Sequence, residues 1–174
     1  MADKTRHSCE FVTDQLQTRL EVTIPGDGRL GLSFLVLDYN GTLACNGILL
    51  DGVAERLIAL SKHLSIHVVT ADTFGTVETA LKGLPCIVRV LPQTGQNHAK
   101  MAYVSQLGRN ETVCIGNGRN DRLMLQAAAL GIGVVGPEGA AFDALQASDV
   151  VAPSIQSALD LLLNSLRLVA TLRS

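Results

Sequence analysis

An apolar run that ends on an aspartate constrains this chain more than any other feature of its sequence. Residues 34–37 (Phe-Leu-Val-Leu) are followed at once by Asp38 and then by the turn formers Asn40 and Gly41. Four consecutive apolar residues bounded by turn formers are typical of a strand buried on both faces of a parallel sheet. Open α/β sheets bind their ligands at the carboxyl ends of the strands, so the pattern predicts a functional carboxylate at Asp38. An ordinary turn aspartate is the alternative.

The rest of the chain alternates apolar runs with amphipathic segments, which predicts a doubly wound parallel sheet of the α/β class. Strands are predicted over residues 34–37, 66–70, 87–90, 112–115, 132–135 and 149–151, and helices from residue 51 and over residues 74–82, 97–107, 121–129, 140–146 and 155–168. Period-two alternation over residues 18–24, before a Pro-Gly-Asp-Gly turn, predicts an N-terminal β-hairpin. We expect residues 17–174 to form a single domain and the polar residues 1–16 to be a flexible extension.

The composition argues against several classes of function. The net charge is −2 and Lys and Arg are scattered, so no basic face for nucleic acid is expected. Aromatic residues make up only 3% of the chain and Trp is absent, which argues against base-stacking platforms. The sequence predicts neither a signal peptide nor a membrane span. Four widely spaced cysteines fit a reducing compartment, so we expect a soluble, cytoplasmic protein without nucleic-acid or membrane partners.

Polar residues follow the predicted strands at positions where parallel strands would bring them to one edge of the sheet. These residues are Asp38, Asn40 and Thr42 after the first of these strands, Thr70, Ala71 and Asp72 after the second, Lys100 at the start of a helix, and the segment 116–121 after the fourth. A carboxylate nucleophile, a hydroxyl, an ammonium and a distal carboxylate are what phosphoryl transfer through an aspartyl phosphate requires.

Each of these residues also has a purely structural interpretation. Thr70 is a suitable helix N-cap, Lys100 a solvated helix lysine, and Asp121 a first-turn acid favoured by the helix dipole. Gly116 and Gly118 suit a tight turn.

As a set and in this order, the segments resemble the motifs of the haloacid dehalogenase superfamily, most closely those of the phosphorylation domain of P-type ATPases. Residues 38–42 resemble the phosphorylated D-K-T-G-T motif, residues 70–76 the T-G-D-x-x-G-T segment, and residues 116–121 the G-D-G-x-N-D motif. The resemblance spans about residues 34–165. It implies a Rossmann-like sheet and a Mg²⁺-dependent phosphatase.

The resemblance also implies a role for individual positions. Asp38 is the residue that becomes phosphorylated, Thr70 donates a hydrogen bond to the phosphoryl group, and Lys100 neutralises charge on both. Asn40 stands at the position of the general acid. The implied Mg²⁺ ligands are Asp38, the carbonyl of Asn40, Asn117 and Asp121. The implied phosphate-binding positions are Gly41, Thr42, Ala71 and Asn120.

Two positions depart from the family pattern. Asn40 replaces an aspartate that serves as general acid and base, and an amide cannot exchange a proton at neutral pH. Because such help is worth about 10²–10⁴-fold, we expect slow turnover. Asp72, beside Thr70, is a conceivable substitute, although its counterpart in the transporters is not the usual proton donor. Asn117 replaces an acidic metal ligand, which weakens Mg²⁺ binding. The alternative function is a non-hydrolytic regulatory or phosphate-binding module.

The spacing of the motifs leaves no room for a cap domain or for the nucleotide-binding insertion of the transporters. We therefore expect a capless enzyme with an open site, which is poorly shielded from water. Either a homo-oligomer forms, in which a neighbouring subunit supplies a lid, or the substrate is a phosphate displayed on something large. The expected substrate is a phosphorylated small molecule or macromolecule.

Overall fold

The computed structural model describes residues 19–72 and 76–174, and its centre is a six-stranded parallel sheet. In chain order the strands are β1 (Leu20–Ile24), β2 (Gly28–Leu32), β3 (Phe34–Asp38), β4 (Ala44–Cys45), β5 (Ile48–Leu49), β6 (Ser65–Thr70), β7 (Ile87–Val90), β8 (Thr112–Gly116), β9 (Leu130–Val134) and β10 (Val150–Ala152). The helices are α1 (Val53–Leu60), α2 (Thr76–Ala80), α3 (Gln96–Leu107), α4 (Arg122–Ala127), α5 (Phe142–Gln146), α6 (Ile155–Leu163) and α7 (Ser165–Leu172).

The predicted buried strand lies at the centre of this sheet. The strand order is β10-β9-β8-β3-β6-β7, so β3 is paired on both sides. In its register, Asp38 lies opposite Val69 of β6 and Leu37 lies opposite Ile115 of β8. The ends of the three strands therefore meet at one edge, as the sequence predicted. The predicted α/β fold is confirmed.

Helices cover both faces of the sheet, which explains why β3 is a continuous apolar run. Leu35 and Leu37 pack in one apolar cluster with residues of α1 and α6, and Val36 packs in a second with residues of α3 and α4. Successive side chains of a strand point to opposite faces, so all three are needed as apolar residues. None of the three has any exposed surface.

The ends of the chain show one confirmed and one incorrect prediction. The N-terminal hairpin is confirmed, since β1 and β2 pair antiparallel. The single helix predicted over residues 155–168 is wrong, because α6 and α7 meet at Asn164 with a bend of 102°. The apolar pattern continues through the break, but α7 turns to pack against β1 and buries Leu168. The predicted extension 1–16 and the predicted helix start at Phe74 lie outside the described residues.

Only small elements separate the strands that carry the predicted site. The hairpin β4–β5 and helix α1 occupy the connection between β3 and β6, where every residue is described, and no cap domain lies there. Within residues 19–72 and 76–174, no single helix is long and apolar enough to cross a membrane. The bent pair α6–α7 passes such a test on length and composition alone.

Candidate active site

A cleft of about 500 Å³ opens at the edge where β3, β6 and β8 end. Six of the predicted site residues line it, namely Asp38, Asn40, Thr70, Ala71, Asn117 and Asn120. Four others, Gly41, Thr42, Lys100 and Asp121, are not among its lining residues. Lys100, in the second turn of α3, and Asp121 are 1% and 0% exposed, so they lie behind the cleft surface.

Three charged side chains form a buried line that we call the charge cluster: Asp38, Lys100 and Asp121. Nζ of Lys100 donates to Oδ1 of Asp38 at 2.5 Å and to Oδ1 of Asp121 at 2.6 Å. Two carboxylates therefore share one ammonium that is almost completely shielded from bulk water. Burying such groups is costly even when they are paired, and clusters of this kind are concentrated at functional sites.

The surroundings of the charge cluster raise the pKa of Asp38 and of Lys100, and the first shift favours a proton on Asp38. Burial, reinforced by the nearby charge of Asp121, raises the pKa of Asp38 to about 7 despite the ammonium of Lys100. Burial alone would lower the pKa of Lys100, but the two carboxylates outweigh it and the pKa is raised. Lys100 therefore stays charged at neutral pH. A further cation beside Asp38 would lower the pKa of that carboxyl.

The glycine-containing segment after β8 is folded around the carboxylate of Asp121. Oδ2 of Asp121 accepts hydrogen bonds from the backbone N–H groups of Asn117 at 3.0 Å and Gly118 at 2.8 Å. A methyl group on Gly116 would lie 2.6 Å from Cγ of Asp121, so only glycine allows this approach. Asp121 is thus placed to hold Lys100 from behind, and its predicted contact with a metal stays a prediction.

The amide at position 117 is matched to its surroundings. Its Oδ1 accepts from the hydroxyl of Thr42 at 3.1 Å, and its Nδ2 donates to the carbonyl of Gly139 at 3.1 Å. A carboxylate could not donate to Gly139, which gives a physical reason for the departure from the family pattern. Gly41 lies against this amide with φ +78°, and a methyl group there would lie 2.5 Å from Nδ2. The predicted role of Gly41 in binding phosphate stays a prediction.

The hydroxyl of Thr70 is oriented by the chain that follows it. Its Oγ1 accepts the backbone N–H of Asp72 at 3.1 Å, so its own O–H serves as a donor. The start of α2 is bonded by Asp72 instead, because Oδ2 of Asp72 accepts from the hydroxyl of Thr76 at 2.5 Å and from the N–H of Val77 at 3.0 Å. Among the described residues, Asp72 and not Thr70 therefore bonds the start of α2.

The outer wall of the cleft consists of uncharged polar groups that the sequence analysis did not single out. Gln93 and Gln96 line it, and Oε1 of Gln96 accepts from Nδ2 of Asn120 at 2.7 Å. Both glutamines come from the segment after β7, and their position beyond a strand end was the one signal that could have found them. Asn40 is exposed at the mouth of the cleft.

Comparisons with known proteins place this geometry in context. No family model matches the sequence. Over 79 residues the chain is 46% identical to MJ0073, an uncharacterised protein of Methanocaldococcus jannaschii, and the match covers 43% of this chain and 85% of MJ0073. It is 27% identical over 148 residues to the human phospholipid-transporting ATPase ID, which is 83% of this chain and 12% of the transporter.

A solved structure shares the fold. The 3-deoxy-D-manno-octulosonate 8-phosphate phosphatase of Moraxella catarrhalis, crystallised with magnesium, phosphate and 3-deoxy-D-manno-octulosonate (KDO), superposes with a TM-score of 0.62 at 18% identity. The superposition covers 82% of this chain and 94% of the phosphatase. At this level of identity the likeness establishes a shared architecture.

Proposed function

We propose that this chain, which belongs to the same family as MJ0073 and has the haloacid dehalogenase fold, is a Mg²⁺-dependent phosphoric monoester hydrolase. The observation that carries the proposal is the charge cluster at the base of the cleft, where Lys100 bridges Asp38 and Asp121. An ordinary core would gain stability from apolar residues at these positions. A buried carboxylate that reaches a cleft beside an ammonium suits a nucleophile.

The oxygen-rich surroundings of Asp38 fit Mg²⁺, which prefers hard oxygen ligands and keeps several waters. The groups that would hold it are the carboxylate of Asp38, the carbonyl of Asn40 and the amide oxygen of Asn117, with Asp121 adding negative charge from behind. When bound, the metal screens two anions from each other. Burial and the charge of Asp121 raise the pKa of Asp38, and a bound cation would favour the ionised form of this carboxyl group.

The first half of the reaction uses residues at the cleft and behind it, and it favours a leaving oxygen that departs without a proton, because Asn40 cannot act as a general acid. An oxygen of Asp38 forms a bond to phosphorus while the bond from phosphorus to the leaving oxygen breaks. Thr70 donates its O–H to a phosphoryl oxygen, and Lys100 compensates the charge that develops on Asp38 and the phosphoryl group. Side-chain amides and hydroxyls line the outer wall, so substrate screening should begin with small, otherwise uncharged phosphomonoesters. A lid from a neighbouring subunit stays a prediction.

The second half, hydrolysis of the acyl phosphate by water, is expected to be slow. Asn40 lies at the mouth of the cleft but cannot take a proton from water. The same observation supports a second candidate function, a module that becomes phosphorylated and persists in that form. The two functions share the first step and differ only in the rate of the second.

Pre-steady-state kinetics with para-nitrophenyl phosphate and Mg²⁺ test both candidates. Nitrophenolate is a good leaving group, so one equivalent should be released rapidly per active site, followed by a slower steady state. Asp38→Asn should abolish both phases, and Asn40→Asp should raise the steady rate by about 10²-fold or more. Asp27→Asn, in the exposed turn of the N-terminal hairpin, is the matched control.

The possible outcomes separate the candidates. A burst without a steady state would favour the persistent phosphorylated module. Release that is equally fast in Asp38→Asn and in the wild type would refute the mechanism altogether.

A further inference from the structure

We propose that Asp72 is the general base that activates water for hydrolysis of the Asp38 acyl phosphate, in place of Asn40. The inference rests on the proposed function. It concerns only the second half-reaction.

Elimination among the lining residues supports this role. The described residues that line the cleft are Asp38, Asn40, Thr70, Ala71, Asp72, Thr76, Gln93, Gln96, Asn117, Gly118 and Asn120. Amide and threonine side chains do not exchange protons at neutral pH. Asp38 is itself phosphorylated at this stage of the reaction. Asp72 is then the one group among these residues that can accept a proton from water.

The sheet register places Asp72 beside the position that Asn40 occupies. Asp38 and Val69 are paired neighbours on β3 and β6, and paired strands lie about 4.8 Å apart. Two further residues lead from Asp38 to Asn40, and three lead from Val69 to Asp72. Both reach the same cleft. The two side chains therefore line one cleft from the ends of adjacent strands.

The electrostatics of the neighbouring residue agree with this placement. Burial raises the pKa of Tyr39, and the charge of Asp72 raises it further. Tyr39 lies in the chain between Asp38 and Asn40. The negative charge of Asp72 is thus felt by the segment in which the family carries its acid–base residue.

Hydrogen bonds fix the orientation of the Asp72 carboxylate. Oδ2 accepts from the hydroxyl of Thr76 and the N–H of Val77, and the backbone N–H of Asp72 bonds the hydroxyl of Thr70. An ionised carboxylate offers about four lone-pair sites, so accepting hydrogen bonds does not prevent it from acting as a base. Fixing a base at the ends of a strand and a helix is a favourable arrangement for catalysis.

The step balances as a simple hydrolysis. The oxygen of water forms a bond to phosphorus, and the bond between phosphorus and the Asp38 oxygen breaks with its electron pair returning to Asp38. One proton of the water moves to the carboxylate of Asp72, which later releases it to solvent. The products are inorganic phosphate and the free Asp38 carboxylate.

Asp72→Asn is the decisive variant because asparagine keeps the oxygen that bonds the start of α2 but cannot serve as a base. We expect the rapid release of nitrophenolate to keep its amplitude, while the steady rate per burst equivalent falls by about 10²-fold or more. The acyl phosphate should accumulate and be released by hydroxylamine after an acid quench. Glu78→Gln, which removes an exposed carboxylate from the same helix, should match the wild type.

A rescue experiment completes the test. Adding Asn40→Asp to Asp72→Asn should restore the steady rate, and its effect should be larger in that background than in the wild type. A steady rate in Asp72→Asn equal to that of the wild type would overturn the inference and leave the proposed function intact. Loss of the burst in Asp72→Asn would also overturn it, because Asp72 would then act before hydrolysis. Normalising to the burst amplitude counts only folded, active protein.

Discussion

Two ion pairs in this molecule each join an aspartate to a basic side chain, and the two aspartates behave in opposite ways. In the charge cluster, Lys100 contacts Asp38 within the sheet edge, whereas Arg56 of α1 contacts Asp160 of α6 on the helical layer, at 2.8 and 3.1 Å. The hydrogen bond from Arg56 lowers the pKa of Asp160, the usual result of pairing. The pKa of Asp38 rises to about 7 although its cation is closer.

The difference shows which effect dominates in each place. The side chains of Arg56 and Asp160 are 29% and 33% exposed, so water keeps the cost of their charges low and the pairing is mildly favourable. Asp38 is buried and also faces Asp121, and these two effects outweigh its cation. The ion pair between α1 and α6 stabilises the fold. In the charge cluster, by contrast, the ionised form of Asp38 is disfavoured, and a bound metal and a phosphoryl group would remove that cost.

Removing the shared cation should have the largest effect. Lys100→Met leaves two buried carboxylates facing each other, so we expect a loss of about 3–5 kcal/mol in the free energy of unfolding at neutral pH. Phosphorylation of Asp38 should slow by about 10²–10³-fold. Denaturant titration and the nitrophenolate burst measure the two quantities. Lys82→Met, at an exposed lysine, should change neither quantity. An unchanged burst in Lys100→Met would mean that the charge cluster takes no part in phosphorylation.

Displacing the carboxylate of Asp121 without removing it should have the next largest effect on phosphorylation and stability. The methyl group of Gly116→Ala would lie 2.6 Å from Cγ of Asp121, so the carboxylate must move and release Lys100. We expect slower phosphorylation and lower stability, measured as above. Gly83→Ala has no atom within 4 Å of the new methyl group, but its φ of +84° is strained for any residue with a side chain. It should lower stability alone, and if it lowered the burst equally, general destabilisation would explain both variants.

The pH dependence of stability should distinguish Asp38 from other acids. Its folded pKa of about 7 exceeds the usual 3.8, so the folded state holds the proton more tightly and the metal-free protein should lose stability as pH rises from about 4 to about 7. Asp38→Asn should flatten this slope and be more stable than the wild type at pH 8. Thermal unfolding in chelator at several pH values measures it. An unchanged slope would mean that Asp38 is ionised throughout.

Removing the Arg56–Asp160 ion pair should have the smallest effect on stability. The pH dependence of its contribution should be opposite in sign to that of Asp38. Because the folded pKa of Asp160 is lowered, its contribution is present above the usual aspartate pKa and is lost as pH falls through the lowered value. Asp160→Asn should therefore lower the unfolding midpoint slightly at neutral pH, and 1 M salt should reduce the difference. The burst should be unchanged. A large loss of burst would mean that the two ion pairs are coupled.

The sequence was sufficient to predict the fold because its apolar runs are strongly patterned. It was insufficient where contacts between distant segments determine the local structure. The apolar run over residues 34–37 identified β3. The apolar pattern over residues 155–168, in contrast, did not indicate the break at Asn164, which follows from the packing of α7 on β1. The order of the motifs predicted that Asp38, Thr70 and Lys100 lie in one site. It could not show that Asp121 holds Lys100 from behind, nor that Gln96 contacts Asn120, because these are contacts between distant segments.

The separation of the cluster along the chain has a consequence for folding. Asp38 precedes its cation by 62 positions, and Lys100 precedes Asp121 by a further 21. During synthesis Asp38 leaves the ribosome before either companion, so its carboxyl group stays hydrated until the segments that carry Lys100 and Asp121 fold against it. Its unusual chemistry is therefore among the last properties that the nascent polypeptide acquires.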